Sequence, residues 1–103
     1  MEFIETPTFT RQILELLPDD DYRGLQNELM ESPDRGDLIK GGGGIRKVRY
    51  AAKGHGKSGG IRVIYYWLRN DGQIYMLLAY PKSKKDDLTD KETAILRELV
   101  KEL

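Results

Sequence analysis

The fold turns on residues 61–80, IRVIYYWLRN-DG-QIYMLLAY, with Ile61–Asn70 before the Asp71-Gly72 pair and Gln73–Tyr80 after it. Both halves are crowded with β-branched and aromatic residues, the composition of strands. In the first half Val63, Tyr65 and Trp67 share one parity, and Ile64, Tyr66 and Leu68 share the other. Side chains alternate across a strand, so both of its faces must be covered and the strand belongs in the middle of a sheet. Asp-Gly tolerates positive φ at both positions, which predicts a hairpin joining the two halves.

Upstream, Ile45–Ala52 reads as a further strand of different character. Lys47 and Arg49 fall on one face, and Val48 and Tyr50 on the other. One face of the sheet is therefore expected to meet helices, with part of the opposite face basic. Two short amphipathic helices are predicted before it. Thr8 is the expected cap of the first, which carries Phe9, Ile13, Leu16 and Leu17 and ends at Pro18. One of Asp19, Asp20 and Asp21 should cap the second, which carries Tyr22, Leu25 and Leu29 and stops by Pro33. Met1–Glu5 reads as a short strand interrupted by Pro7. Thr89–Leu103 reads as a third helix, since Thr89-Asp90-Lys91-Glu92 fits the capping box. The predicted order is β-α-α-β-β-β-α. It describes a single α+β domain over residues 1–103, with a mostly antiparallel sheet, two N-terminal helices and a C-terminal helix.

The chain's 103 residues suffice for one core and not for two. Without cysteine it has no disulfide framework, zinc ribbon or thiol nucleophile, and His55, the sole histidine, cannot build a histidine metal cluster. No apolar run approaches the roughly 18 residues of a membrane span, and the acidic start lacks a signal peptide's positive region. A soluble, cytoplasmic protein with no membrane association is expected.

The formal net charge of zero conceals a strong segregation. Residues 1–39 hold three basic residues against ten acids, residues 40–85 eleven against one, and residues 86–103 three against six. A basic surface on the middle third would attract polyanions. The plainer account is that acidic helices neutralise a basic sheet.

Several local patterns carry less than they first suggest. Gly54-His55-Gly56-Lys57-Ser58 resembles part of a P-loop, but Ala51 stands where the motif needs glycine and the downstream segment is a strand. A basic loop is the better description. His55 could serve as acid or base, although its glycine neighbours favour an exposed loop residue. Gly41–Gly44 either lets another chain approach closely or leads into a twisted strand. Asp86, Asp87 and Asp90 could be imagined as a two-metal cluster, yet their place before a helix is explained by turn and cap chemistry. No metal or cofactor is expected. What remains is Lys47, Arg49, Arg62 and Lys82, with Lys84 and Lys85 nearby, a set of cations that suggests a phosphate site.

These residues together resemble the RelE/HigB superfamily of bacterial toxins, most closely its HigB-like branch. The resemblance rests on Gly43-Gly44-Ile45-Arg46-Lys47-Val48-Arg49, on Gly54 through Arg62 to Tyr66, on Leu78-Ala79-Tyr80-Pro81-Lys82, and on Asp87-Leu88. It implies a metal-independent endoribonuclease, an mRNA interferase in which the 2′-hydroxyl attacks the adjacent 3′-phosphate. Arg62 would stabilise the transition state through its fork of donors. Lys47 is implied as binder and candidate base, since crowded cations disfavour one another's charge. Lys82 would be acid or phosphate ligand. RNA contacts are assigned to Arg46, Arg49, Lys57, Lys84 and Lys85. Tyr80 either stacks a base or packs in the core, with core packing favoured. The chain departs from some relatives at Leu88-Thr89, where they carry an aromatic hydroxyl, and at Ser83, where they carry arginine.

The implied partners are mRNA, the ribosome that positions it, and a cognate antitoxin with a helix-turn-helix domain, through which alone operator DNA would be reached. Two other readings stay open at this point. A non-catalytic RNA- or DNA-binding module would bind with steep salt dependence and cut nothing. An interaction protein would use the basic face only to receive an acidic partner.

Overall fold

The computed structural model describes residues 1–51, 60–85 and 87–103. Five strands form one mixed sheet: β1 (Glu2–Glu5), β2 (Asp37–Leu38), β3 (Ile45–Tyr50), β4 (Ile61–Leu68) and β5 (Gln73–Pro81). The helices are α1 (Pro7–Leu16), α2 (Asp19–Glu31) and α3 (Asp90–Val100). The strands lie in the order β1-β5-β4-β3-β2, and only β1 runs parallel to its neighbour. This is the expected α+β arrangement, with β2 as an added two-residue edge strand.

β4 is central, as its two apolar faces require. One face presents Val63, Tyr65 and Trp67 to a core shared with Phe9, Ile13 and Leu17 from the α1 segment and Leu25 and Leu29 from α2. The other presents Ile64 and Tyr66 to a smaller core with Ile45, Leu77, Leu96 and Val100. A bulge helps fill both cores. Tyr65 pairs with Met76 while Ile64 pairs with Leu78, so Leu77 is the extra residue. Met76 thereby packs on the α1–α2 side, and Leu77 and Leu78 both join the α3 side.

Three local expectations need correction. Pro7 opens α1 instead of merely interrupting the chain, and the cap is Thr6, whose hydroxyl accepts the Phe9 N–H at 3.0 Å. Proline suits the first helical position because its missing N–H would have no intrahelical partner. The same hydroxyl donates to the Leu77 carbonyl at 2.9 Å, tying helix start to sheet. α2 begins after Pro18 with no side-chain cap, and Asp19, Asp20 and Asp21 occupy its first turn. There they favour the positive end of the helix dipole without capping it. The β4–β5 connection is a short 3-10 turn over Arg69–Asp71 closed by Gly72 at φ 63°, and Asp71 does not take positive φ. Glycine alone carries the left-handed residue, the geometry of a hairpin longer than two residues.

The capping box of α3 forms as expected, with Thr89 and Glu92 exchanging hydrogen bonds. The glycine run is a structural turn between β2 and β3. Gly41, Gly43 and Gly44 have positive φ, and a Cβ on Gly43 would lie 3.0 Å from the Arg97 side chain. Arg97 donates to the Gly41 carbonyl at 2.9 Å, so the turn serves as a seat for α3.

Candidate nucleic-acid interface

Lys47, Arg49 and Arg62 point to the same side of the sheet as α3. Their positions follow from strand parity: Arg49 is the direct cross-strand partner of Arg62, and Tyr80 is the partner of Arg62 on β5. Like charges placed directly opposite repel, so this pairing is favourable only where an anion neutralises it. Arg62 is 3% exposed, and its guanidinium donates to the Ile61 carbonyl at 3.5 Å. Burying a guanidinium is costly unless its charge is answered. Lys82 comes to the same place through the end of β5, where its backbone N–H donates to the Gly60 carbonyl at 3.2 Å. Arg49, Arg62 and Lys82, with Tyr50, Ala51 and Gly60, line one hollow of about 350 Å³. Among the described residues its lining has three cations and no acid, so it suits a phosphate.

Lys47 stands beside this hollow and donates to the carboxylate of Asp87. Asp87 sits on the segment leading to α3, and its side chain is 74% exposed against 17% for Lys47. The Lys47 hydrogen bond holds the Asp87 carboxyl below its ordinary range, helped by the charges of Lys47, Arg49 and Arg62. In the sequence Asp87 is a turn residue before a helix and part of the Asp87-Leu88 motif of the family resemblance, with no role at the basic cluster assigned to it. Forty residues separate it from Lys47, and no local pattern signals such a contact.

The remaining assigned residues divide. Lys85 pairs with Glu92 at 2.5 Å and lies over the ring of Tyr80, 5.0 Å from its centroid. That pairing, with the α3 cap, holds the Glu92 carboxyl below its usual value. Tyr80 is buried in the α3-side core, the favoured alternative. Lys84 is exposed in the turn after β5. Arg46 is not part of the cluster: it lies on the opposite face, and its guanidinium donates to the carbonyls of Asp34 and Gly36 at 3.2 and 2.8 Å. Strand alternation separates it from Lys47 despite their adjacency. Lys57, like His55 and the glycine loop around it, lies outside the described residues. Among the described residues no group of three or more His, Cys, Asp or Glu side chains is placed to hold a metal ion. No helix among them is long and apolar enough to cross a membrane.

The fold and site define an α+β domain with Arg49, Arg62 and Lys82 gathered on one sheet face beside its C-terminal helix. Residues 17–103 match the family model described as the RelE toxin of the RelE / RelB toxin-antitoxin system. The chain belongs to the RelE toxin family: it is the toxin-side component of a toxin–antitoxin system, and its partner is an antitoxin.

Proposed function

We propose that this toxin is a metal-independent endoribonuclease of the HigB-like branch, which cleaves mRNA positioned by the ribosome and so halts translation and growth. The observation that carries the proposal is the convergence of Arg49, the buried Arg62 and Lys82 on one hollow with no acid among its described lining residues. The scissile phosphate occupies that hollow. The substrate 2′-oxygen attacks phosphorus, the bond to the 5′-oxygen breaks, and a 2′,3′-cyclic phosphate forms. Arg62 and Arg49 hold the non-bridging oxygens as negative charge accumulates on them. Lys82 delivers a proton to the departing 5′-oxygen.

The 2′-hydroxyl proton leaves through the Lys47–Asp87 pair. Lys47, the base assigned from sequence, hands its own proton to the Asp87 carboxylate as it takes the hydroxyl's, so Asp87 is the final acceptor. A pair of this kind is a modest base, which suits an enzyme whose substrate is aligned by the ribosome. Lys84 and Lys85 flank the site and contact neighbouring phosphates, and Lys57 is assigned the same role. Arg46 is withdrawn from the RNA contacts. A helix-turn-helix antitoxin silences the toxin by shielding the basic face, and it carries the pair to operator DNA. The setting is the cytoplasm.

Inducible expression in bacteria tests the proposal, with wild type beside Arg62→Ala and primer extension on an abundant message. Growth arrest with discrete new 5′ ends, both absent in a folded Arg62→Ala protein, is the expected result. Intact messages with soluble wild-type protein would favour a non-catalytic RNA- or DNA-binding module instead.

A further inference from the structure

The face of α3 turned away from the sheet carries an exposed apolar stripe. Ile95 and Leu99 lie one helical turn apart and are 58% and 41% exposed, and Leu103 follows them at 42%. The charges around this stripe stand in an uncommon order. Lys91 is in the first turn of α3, and Glu102 is in the turn that continues the helix, where its backbone N–H donates to the Leu99 carbonyl at 3.1 Å. Eleven residues make almost three helical turns, so Lys91 and Glu102 both flank the stripe, roughly 16 Å apart. Each opposes the helix dipole at its own end, a cation near the positive N-terminus and an acid near the negative C-terminus.

The other charges of α3 are accounted for within the chain. Asp90 suits the dipole where it stands, Glu92 is held by Lys85, Glu98 by Lys101 at 3.0 Å, and Arg97 by the Gly41 carbonyl. Among the described residues, Lys91 and Glu102 have no ion-pair partner.

A second α3 laid antiparallel on the first answers both. A two-fold axis near Arg97 brings Ile95 of one copy against Leu99 of the other and Lys91 against Glu102, and each contact occurs twice. The reversed charges then become favourable, because each Lys91 lies by the C-terminal pole of the other helix and each Glu102 by its N-terminal pole. A parallel pair would instead set like charges together. Glu98, which comes near the axis, is already neutralised by Lys101.

We propose that this toxin self-associates through α3 as a two-fold symmetric dimer. Ile95 and Leu99 form its apolar contact, and Lys91 and Glu102 fix the antiparallel orientation. The self-complementary order of charge and apolar residue favours a second copy over an unrelated helix. None of these residues lines the phosphate hollow, so the dimer is independent of the ribonuclease reading.

Sedimentation velocity of the whole protein over a concentration series tests the proposal. A contact made by one helix stripe buries less than about 1,200 Å², the class of transient interfaces, so half-dimerisation is expected near ~100 µM. Ile95→Glu should leave a monomer throughout the series. Lys91→Glu sets like charges against Glu102 at both ends of the pair and should weaken association about tenfold. Adding Glu102→Lys restores opposite charges with their signs exchanged and should recover association to within about threefold of wild type. Both charge substitutions are at exposed positions and suit the dipole of α3, so the variants keep the fold, which circular dichroism checks. A wild type that stays monomeric to about 1 mM, a decade above the expected midpoint, overturns the proposal and leaves the stripe to another partner. Dimers that survive Ile95→Glu, or a double variant no better than Lys91→Glu alone, overturn this interface.

Discussion

The sheet face under α1 and α2 is closed by apolar side chains from three strands, whereas the face under α3 is closed only where Leu96 and Val100 reach it. The difference is one of length. Two helices of 10 and 13 residues cover the first face, and one of 11 covers the second. An 11-residue helix spans about 16 Å, roughly half the length of a nine-residue strand such as β5. The uncovered remainder is where Lys47, Arg49, Arg62 and Lys82 gather. The proposed binding site is thus the part of the sheet that the helices leave open. The one basic residue of β3 on the closed face, Arg46, is tied to two backbone carbonyls.

The largest expected effect is on chemistry at the open face. Arg62→Ala should lower cleavage by about a hundredfold or more, the usual result of removing one transition-state donor. Primer extension gives the rate, and far-UV circular dichroism checks that the sheet survives. Retained cleavage in a folded variant would separate the cation cluster from catalysis.

Stability should divide the other way. Phe9→Ala, on the closed face, should cost about 3–5 kcal/mol, because the fully buried ring leaves a cavity among rigid neighbours. Leu96→Ala, on the half-covered face, should cost less, about 2–3 kcal/mol, since α3 can settle toward the sheet. Urea denaturation of both variants measures the contrast, and equal losses would mean that α3 is as firmly anchored as α1.

Arg46 and Arg49 sharpen the comparison at closer range. Arg49→Met should weaken RNA binding and reduce the slope of log affinity against log salt by about one. Arg46→Met should leave that slope unchanged and cost about 1 kcal/mol in stability through its lost hydrogen bonds. A salt slope altered by Arg46→Met would contradict the assignment of that arginine to the closed face.

The smallest effect is a titration. Asp87 should titrate below the ordinary aspartate value of 3.8, and Lys47→Met should move it back toward that value, as followed by carboxyl NMR shifts. A depressed carboxyl pKa in the folded state contributes stability above the unfolded value. The pair therefore contributes at neutral pH, and its contribution is lost only in acid, below about pH 4 as pH falls through the folded value.

Much of this was legible in the chain before its fold was known. The double-sided apolar pattern of β4 required two covering layers, and strand alternation already placed Lys47 and Arg49 away from Val48 and Tyr50. The capping box at Thr89 marked the start of α3. Local patterns carry such information because helix and strand periods are properties of neighbouring residues. The same logic puts Arg46 on the far face, although the family resemblance counts it among the RNA contacts.

The sequence by itself determined the elements other than β2, the central strand, and a basic strand face opposite an apolar one. Tertiary structure alone decided which cations share a hollow, that Arg62 is buried, and that Asp87 reaches Lys47 from forty residues away. It also decided that Thr6, not Thr8, caps α1, because Thr6 bonds both Phe9 and the β5 backbone. The physical reason is the same in each case. Spacing along the chain fixes which way a side chain points, whereas distance across the sheet depends on register, on the bulge in β5, and on where α3 comes to rest.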